Sequence, residues 1–127
     1  MIQPFHLSFA APDKEAAKQF YINVLGCTLG RDNEAWFDVL FYGHQLTIRQ
    51  ASEQLPSCKI DHFGPTLSKG EWQAAIKRIQ SSGIEFLMSP IIRNENEPDE
   101  SGKFLIHDPA GNILEFKYYL NFGATVG

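Results

Sequence analysis

Phe5-His6-Leu7-Ser8-Phe9-Ala10 returns later in the chain as Ile60-Asp61-His62-Phe63-Gly64-Pro65-Thr66-Leu67. In both stretches apolar residues alternate with small or polar ones, the pattern of a strand with one greasy face. Phe5, Leu7 and Phe9 share one side, with His6, Ser8 and Ala10 on the other. Phe63, Pro65 and Leu67 oppose His62, Gly64 and Thr66 in the same way. Pro65 suits an edge position or a strand end, because it has no N–H to give to a central ladder.

The segment after each histidine is repeated too. Pro12-Asp13 starts a helix with Asp13 as its N-cap, and Ala17, Phe20, Tyr21 and Val24 form one apolar stripe before Gly26 ends it. In the second copy Ser68 and Glu71 make a capping box, Trp72, Ala75, Ile76 and Ile79 form the stripe, and Ser82-Gly83 stops the helix. Gly26 comes 20 residues after His6 and Gly83 comes 21 after His62. Strands are expected at 28–31, 35–41 and 44–49 in the first copy and at 85–92, 103–108 and 113–119 in the second. Tyr42-Gly43 and Pro109-Ala110-Gly111-Asn112 are the turns. The expected fold is therefore α+β, two β-α-β-β-β modules of about residues 1–50 and 59–120, joined by a linker over 51–58 within a single domain. The polar loop 94–101, with Glu95, Glu97, Asp99 and Glu100, is either a solvated disordered run or a mobile lid.

A four-stranded sheet covered by one helix leaves its other face bare, and two such curved, mixed sheets can enclose a cleft between bare faces. If Phe5, Leu7 and Phe9 face the helix, His6 faces the cleft, and by the same parity so does His62. In the last strand Leu114, Phe116 and Tyr118 suit the helix side, which turns Ile113, Glu115, Lys117 and Tyr119 inward. Two imidazoles and one carboxylate can hold a divalent metal and leave coordination positions open for chemistry.

Composition narrows the function classes. The chain has 127 residues, 43% of them hydrophobic and 20% charged, enough for a core without staples. Its ten phenylalanines can line a pocket as well as fill a core. A net charge of −4 argues against nucleic acid, which demands a basic face. No apolar run reaches membrane-spanning length, and the first residues lack the basic and apolar segments of a signal peptide. Cys27 and Cys58, without metal-type spacing, read as reduced thiols of a cytoplasmic protein.

His6 in Pro-Phe-His-Leu-Ser-Phe, His62 in Ile-Asp-His-Phe-Gly, and the stretch Asp108-Pro109-Ala110-Gly111-Asn112-Ile113-Leu114-Glu115-Phe116 resemble the vicinal oxygen chelate superfamily. That superfamily includes glyoxalase I, extradiol ring-cleavage dioxygenases and bleomycin-resistance proteins. The resemblance covers essentially the whole chain, and Gly43-His44-Gln45-Leu46 with Glu115-Phe116-Lys117 looks most like its extradiol-type members. It implies that His6, His62 and Glu115 are metal ligands. It further implies a small-molecule substrate with vicinal oxygens and a homodimer, with Fe(II) or Mn(II) as the metal in a dioxygenase. Thr47 stands where glyoxalase-like members carry a fourth ligand, and a hydroxyl is a poor ligand, which tilts the reading toward a dioxygenase. Gln45 could offer an amide oxygen after a one-residue shift. The rivals are a glyoxalase-like isomerase or lyase using Zn or Ni, and a metal-free sequestering protein of the bleomycin-resistance kind.

Around the ligands, Lys117 and Arg49 share inward parity and could meet an anionic substrate or an activated oxygen, or else be solvated at the rim. Tyr119 can donate a hydrogen bond or simply pack. His107 is a possible acid or base near a strand end, and His44, opposite in parity to Gln45, is expected to face out. Asp108 and Asn112 read as turn formers. Phe37, Phe41 and Phe104 belong either to the core or to the cleft.

Overall fold

The computed structural model describes residues 3–125. The chain divides into two compact units, Met1–Lys59 with Asp108–Asn112, and Ile60–His107 with Ile113–Gly127. Each is a four-stranded mixed sheet covered on one face by a helix, as the repeat implies.

In the first unit β1 (His6–Ala11) leads into α1 (Lys14–Gln19), which Asp13 caps by accepting from the Ala16 N–H at 3.1 Å. The helix runs on as a π-helical turn over Phe20–Val24. β2 (Thr28–Asp32), β3 (Trp36–Phe41) and β4 (His44–Gln50) come next, and the sheet order is β1-β4-β3-β2. β1 runs parallel to β4, while β3 is antiparallel to both of its neighbours. Ala17, Phe20 and Tyr21 are buried on the helix side together with Phe9, Phe37, Val39, Phe41, Leu46 and Ile48, so Phe37 and Phe41 are core residues. Phe5, expected on that side, is 65% exposed, because it lies before the first paired residue of β1.

The second unit has β5 (Thr66–Leu67), α2 (Lys69–Ser82), β6 (Met88–Arg93), β7 (Ser101–His107) and β8 (Ile113–Tyr119), in the order β5-β8-β7-β6. A short helix, α3 (Phe122–Thr125), closes the described chain. The expected long first strand is reduced to β5 and an isolated parallel bridge between Phe63 and Leu114. Pro65 is the reason. Phe63 exchanges bonds with Ile113 and Glu115, but Pro65 can only accept, from the Lys117 N–H at 3.2 Å. Ser68 caps α2 and closes the box with Glu71, while Gly83 ends it at φ 80°.

Trp72 anchors α2 to the sheet, donating its indole N–H to the Phe116 carbonyl at 3.0 Å and packing on Tyr118 and Phe104. Phe104 stacks on Phe116, also in the core. Gly102 makes room for this cluster, since a Cβ there would collide with the Tyr118 ring and approach Trp72 to 3.1 Å. Truncating a buried tryptophan of this kind costs about 3–5 kcal/mol.

The polar loop 94–101 is a hydrogen-bonded turn, with Asn94 and Asn96 at positive φ. Its anchor is buried Glu100, which accepts from the Asn96 N–H, the Tyr118 hydroxyl (2.7 Å) and Lys69 (2.8 Å). Lys69, the Asn96 N–H and Tyr118 together hold the Glu100 carboxyl down to about 2, from an ordinary 4.5. A carboxyl with a depressed folded-state value stabilises the fold fully above its ordinary value, and that contribution fades as pH falls through the folded value. Equilibrium unfolding of Glu100→Gln across acid pH is expected to give lower stability at neutral pH. Its decline between pH 4.5 and about 2 should also be shallower than that of the parent chain.

Candidate functional site

The bare faces of both sheets carry the residues singled out by parity. In the first unit the row across the face is His6, Gln45, Leu40; the next is Ser8, Thr47, Asp38; the third is Ala10, Arg49, Trp36. His6 and Arg49 are exposed, and Gln45 is half-buried. Asp38 is the surprise: a buried carboxylate whose Oδ1 accepts from the Thr47 hydroxyl and whose Oδ2 pairs with Arg31 Nε, both at 2.6 Å. The neighbouring Gln45 amide also helps to hold its charge. Burial pushes the Asp38 carboxyl up, but the bonds from Thr47, Arg31 and Gln45 outweigh that and leave it below its usual range. Arg31 is steadied in turn by the Trp36 ring, 4.7 Å from its centroid.

His44 has a structural task. Its Nδ1 accepts the Phe5 N–H at 2.7 Å, tying the start of β4 to the chain before β1. It pairs with Phe41 across β3–β4, opposite in parity to Gln45 as expected.

The second unit repeats the register. In the first unit Leu7 stands beside Leu46, three residues after the turn glycine Gly43; in the second, Phe63 stands beside Leu114, three residues after Gly111. His6 and His62 each precede that residue by one, so the two histidines hold equivalent places. The His62 side chain is 53% exposed, and its Nδ1 lies 2.6 Å from Asp61 Oδ2. With Nδ1–H directed at a carboxylate, Nε2 keeps its lone pair for a metal or a proton. Glu115 is two residues along the same face, beside Gly64, where a Cβ would collide with the Glu115 carbonyl. Only glycine permits that approach of the two backbones.

Beyond Glu115, the row Thr66, Lys117, Lys103, Ile91 crosses the sheet, and the next holds Tyr119, Ser101 and Arg93. All of these side chains except Thr66 border an open concavity of about 180 Å³. Lys117 Nζ lies 3.5 Å from Glu115 and 5.5 Å from the centroid of the Tyr119 ring. Partial burial alone would lower the Lys117 ammonium, but Tyr119 and Glu115 raise it above its ordinary value and keep it charged. The structure thus gathers Glu115, Lys117 and Tyr119. It leaves His107 at the exposed end of β7, opposite Ile113 and away from the concavity.

Asp108 and Asn112 are turn formers, as their spacing predicts. Asp108 Oδ1 accepts from the Ala110 and Asn112 N–H groups, and Oδ2 from the Asn112 amide and the Tyr21 hydroxyl at 2.8 Å. Burial and the adjacent carboxylate push the Tyr21 phenol well above its usual range.

His6, His62 and Glu115 are a chemically suitable donor set for a divalent ion. His62 and Glu115 belong to the second unit and His6 to the first. Within either unit, among the described residues, no three His, Cys, Asp or Glu side chains cluster for an ion. Sequence reasoning misses Asp38, although a charge between Phe37 and Val39 at inward parity is a usable signal. It also misses Asp61, Arg93 and Lys103.

Asp38→Ala removes the acceptor shared by Thr47 and Arg31. Chemical denaturation should show a loss of about 1–3 kcal/mol, the usual cost of leaving buried polar partners unsatisfied.

A family model described as the Glyoxalase/Bleomycin resistance protein/Dioxygenase superfamily matches residues 3–116. A glyoxalase/bleomycin resistance protein/dioxygenase from Alicyclobacillus acidocaldarius is similar at 32% identity and a TM-score of 0.80, over 97% of this chain and 96% of that one. A lactoylglutathione lyase from Agrobacterium tumefaciens shares the fold at 19% identity and a TM-score of 0.72, over 95% and 96% of the two chains. No curated protein matches the chain.

Proposed function

The chain belongs to the glyoxalase/bleomycin resistance protein/dioxygenase superfamily, and we propose that it is a metal-dependent enzyme of the extradiol dioxygenase type. Its substrate is a small molecule with two neighbouring oxygens, and His6, His62 and Glu115 hold the metal. The observation that carries this reading is the equivalent register of the two histidines, together with the Asp61 carboxylate on Nδ1 of His62. A carboxylate behind a histidine orients the ring and raises its basicity as a ligand.

Fe(II) or Mn(II), bound there, supplies Lewis acidity toward paired oxygens and an electron route to O₂. The chain's own residues do the rest. Thr47, which sits where a fourth ligand would come from, is committed to Asp38, and this supports a set of three protein donors. Charged Lys117, beside Glu115 and Tyr119, can stabilise negative charge developing on the substrate. Tyr119 can hold a hydrogen bond at the same place. His107 could act as acid or base only on a substrate reaching the exposed end of β7.

The reading includes a homodimer and a cytoplasmic setting. Cys27 and Cys58, not joined in a disulfide, support the latter.

Purified protein should bind Fe(II) or Mn(II) at about pH 7.5. His6→Ala, His62→Ala and Glu115→Ala should each abolish that binding, as measured by elemental analysis and calorimetry. The metal-loaded protein should consume O₂ with a member of a catechol panel. Turnover of a 2-oxoaldehyde adduct without O₂ uptake, using Zn or Ni, would instead make it a glyoxalase-like lyase or isomerase. Failure to bind any divalent metal ends the enzymatic reading. Asp61→Asn should weaken metal binding by about 10–100-fold while leaving the ligand set intact, the usual effect of losing a carboxylate behind a histidine.

A further inference from the structure

We propose that the bare face of the β6-β7-β8 sheet is a subsite for an anionic oxygen group, the carboxylate or phosphate of a small-molecule ligand. The inference deepens the enzymatic reading by giving a substrate class, and it rests on that reading only in making this ligand the substrate.

The fold leaves positive charge unmet on this face. Lys103 and Lys117 are directly opposite each other in the antiparallel β7–β8 ladder, and Arg93 is one row further on, opposite Ser101. Like charges facing each other across a ladder are destabilising. Three cations therefore border the concavity against a single carboxylate, Glu115, which is already paired with Lys117. Neither Lys103 nor Arg93 has a carboxylate partner among the described residues. If Glu115 also serves a metal, its charge is shared further and the positive excess grows.

The rest of the lining suits an oxyanion. The Ser101 and Tyr119 hydroxyls can donate, Arg93 offers a planar fork that matches two oxygens, and Lys103 and Lys117 act as point charges. Ile91, at the edge of the same row, gives an apolar surface for the body of a small ligand. A space of about 180 Å³ fits such a molecule and not a macromolecular segment. Every one of these residues belongs to the second unit, so the subsite needs no residue from the first.

The test uses the full chain, stripped of metal with a chelator and titrated calorimetrically at low salt with benzoate, phenyl phosphate and uncharged benzamide. At least one of the two anions should bind about tenfold or more tightly than benzamide. Lys103→Gln and Arg93→Gln should each erase most of that preference while leaving benzamide binding unchanged. Which anion binds more tightly tells whether the group is a carboxylate or a phosphate. In the absence of ligand, Lys103→Gln should raise the melting temperature at low salt, because it removes the repulsion with Lys117. Equal binding of anions and benzamide, or an undiminished preference in both variants, overturns the proposal. A lower melting temperature for ligand-free Lys103→Gln also overturns it, by showing that the lysine serves the fold. Metal binding is measured separately on the same variants. Loss of metal binding by the parent chain with anion preference intact would sink the enzymatic reading and leave the subsite standing.

Discussion

Each unit depends on a parallel seam between its first strand and its last. β1 lies along β4, and the chain around Phe63–Leu67 lies along β8, with the same offset from the turn glycine in both. Because side chains alternate, a slip of one residue would send His6 and Thr47, or His62 and Glu115, under a helix and push the core residues into water. Two things pin the register. Gly43 and Gly111 both adopt φ +85°, which sets the hairpin that feeds the last strand. Leu46, Ile48, Leu114 and Phe116 are buried on the helix side, where moving them would expose apolar surface worth about 1.5–3 kcal/mol per side chain.

On this shared frame the two units pair their polar residues to different degrees. The first ties its central carboxylate down: Asp38 accepts from Thr47 and pairs with Arg31, and Arg31 rests on Trp36. That face leaves His6 and Arg49 exposed. The second leaves its polar residues under-paired, with a carboxylate between a histidine and a lysine and two further cations nearby. Charge left unmet on a bare face lowers stability unless a ligand uses it, and sites of function are where such costs are kept.

Much of this is legible in the chain, because alternation is local. Duplication, both helices, the capping box at Ser68 and the last strand at 113–119 all arise from short-range pattern, and the structure has them. Parity also sends Glu115, Lys117 and Tyr119 to the same side, where they border one concavity. The failures come from pairing, which is not local. β5 is short because Pro65 cannot donate to β8, and nothing within Ile60–Leu67 says which neighbour will ask for that N–H. Arg93 and Lys103 matter only because the β6–β7 ladder, with its irregularity between Met88 and Ile91, brings them into register beside Lys117. The acidic loop 94–101 has the composition of a solvated run, yet Glu100 is a buried acceptor whose partners, Tyr118 and Lys69, come from β8 and α2.

The bond between Tyr21 and Asp108 has an evolutionary consequence. By its contacts the tip of the final hairpin, Asp108–Asn112, belongs to the unit built from the first half of the chain, although it is encoded in the second. The duplicated halves are thus no longer interchangeable copies, since one has lent the other a structural part. Gene fission between Lys59 and Ile60 would strand a buried phenol in one fragment and its acceptor in the other.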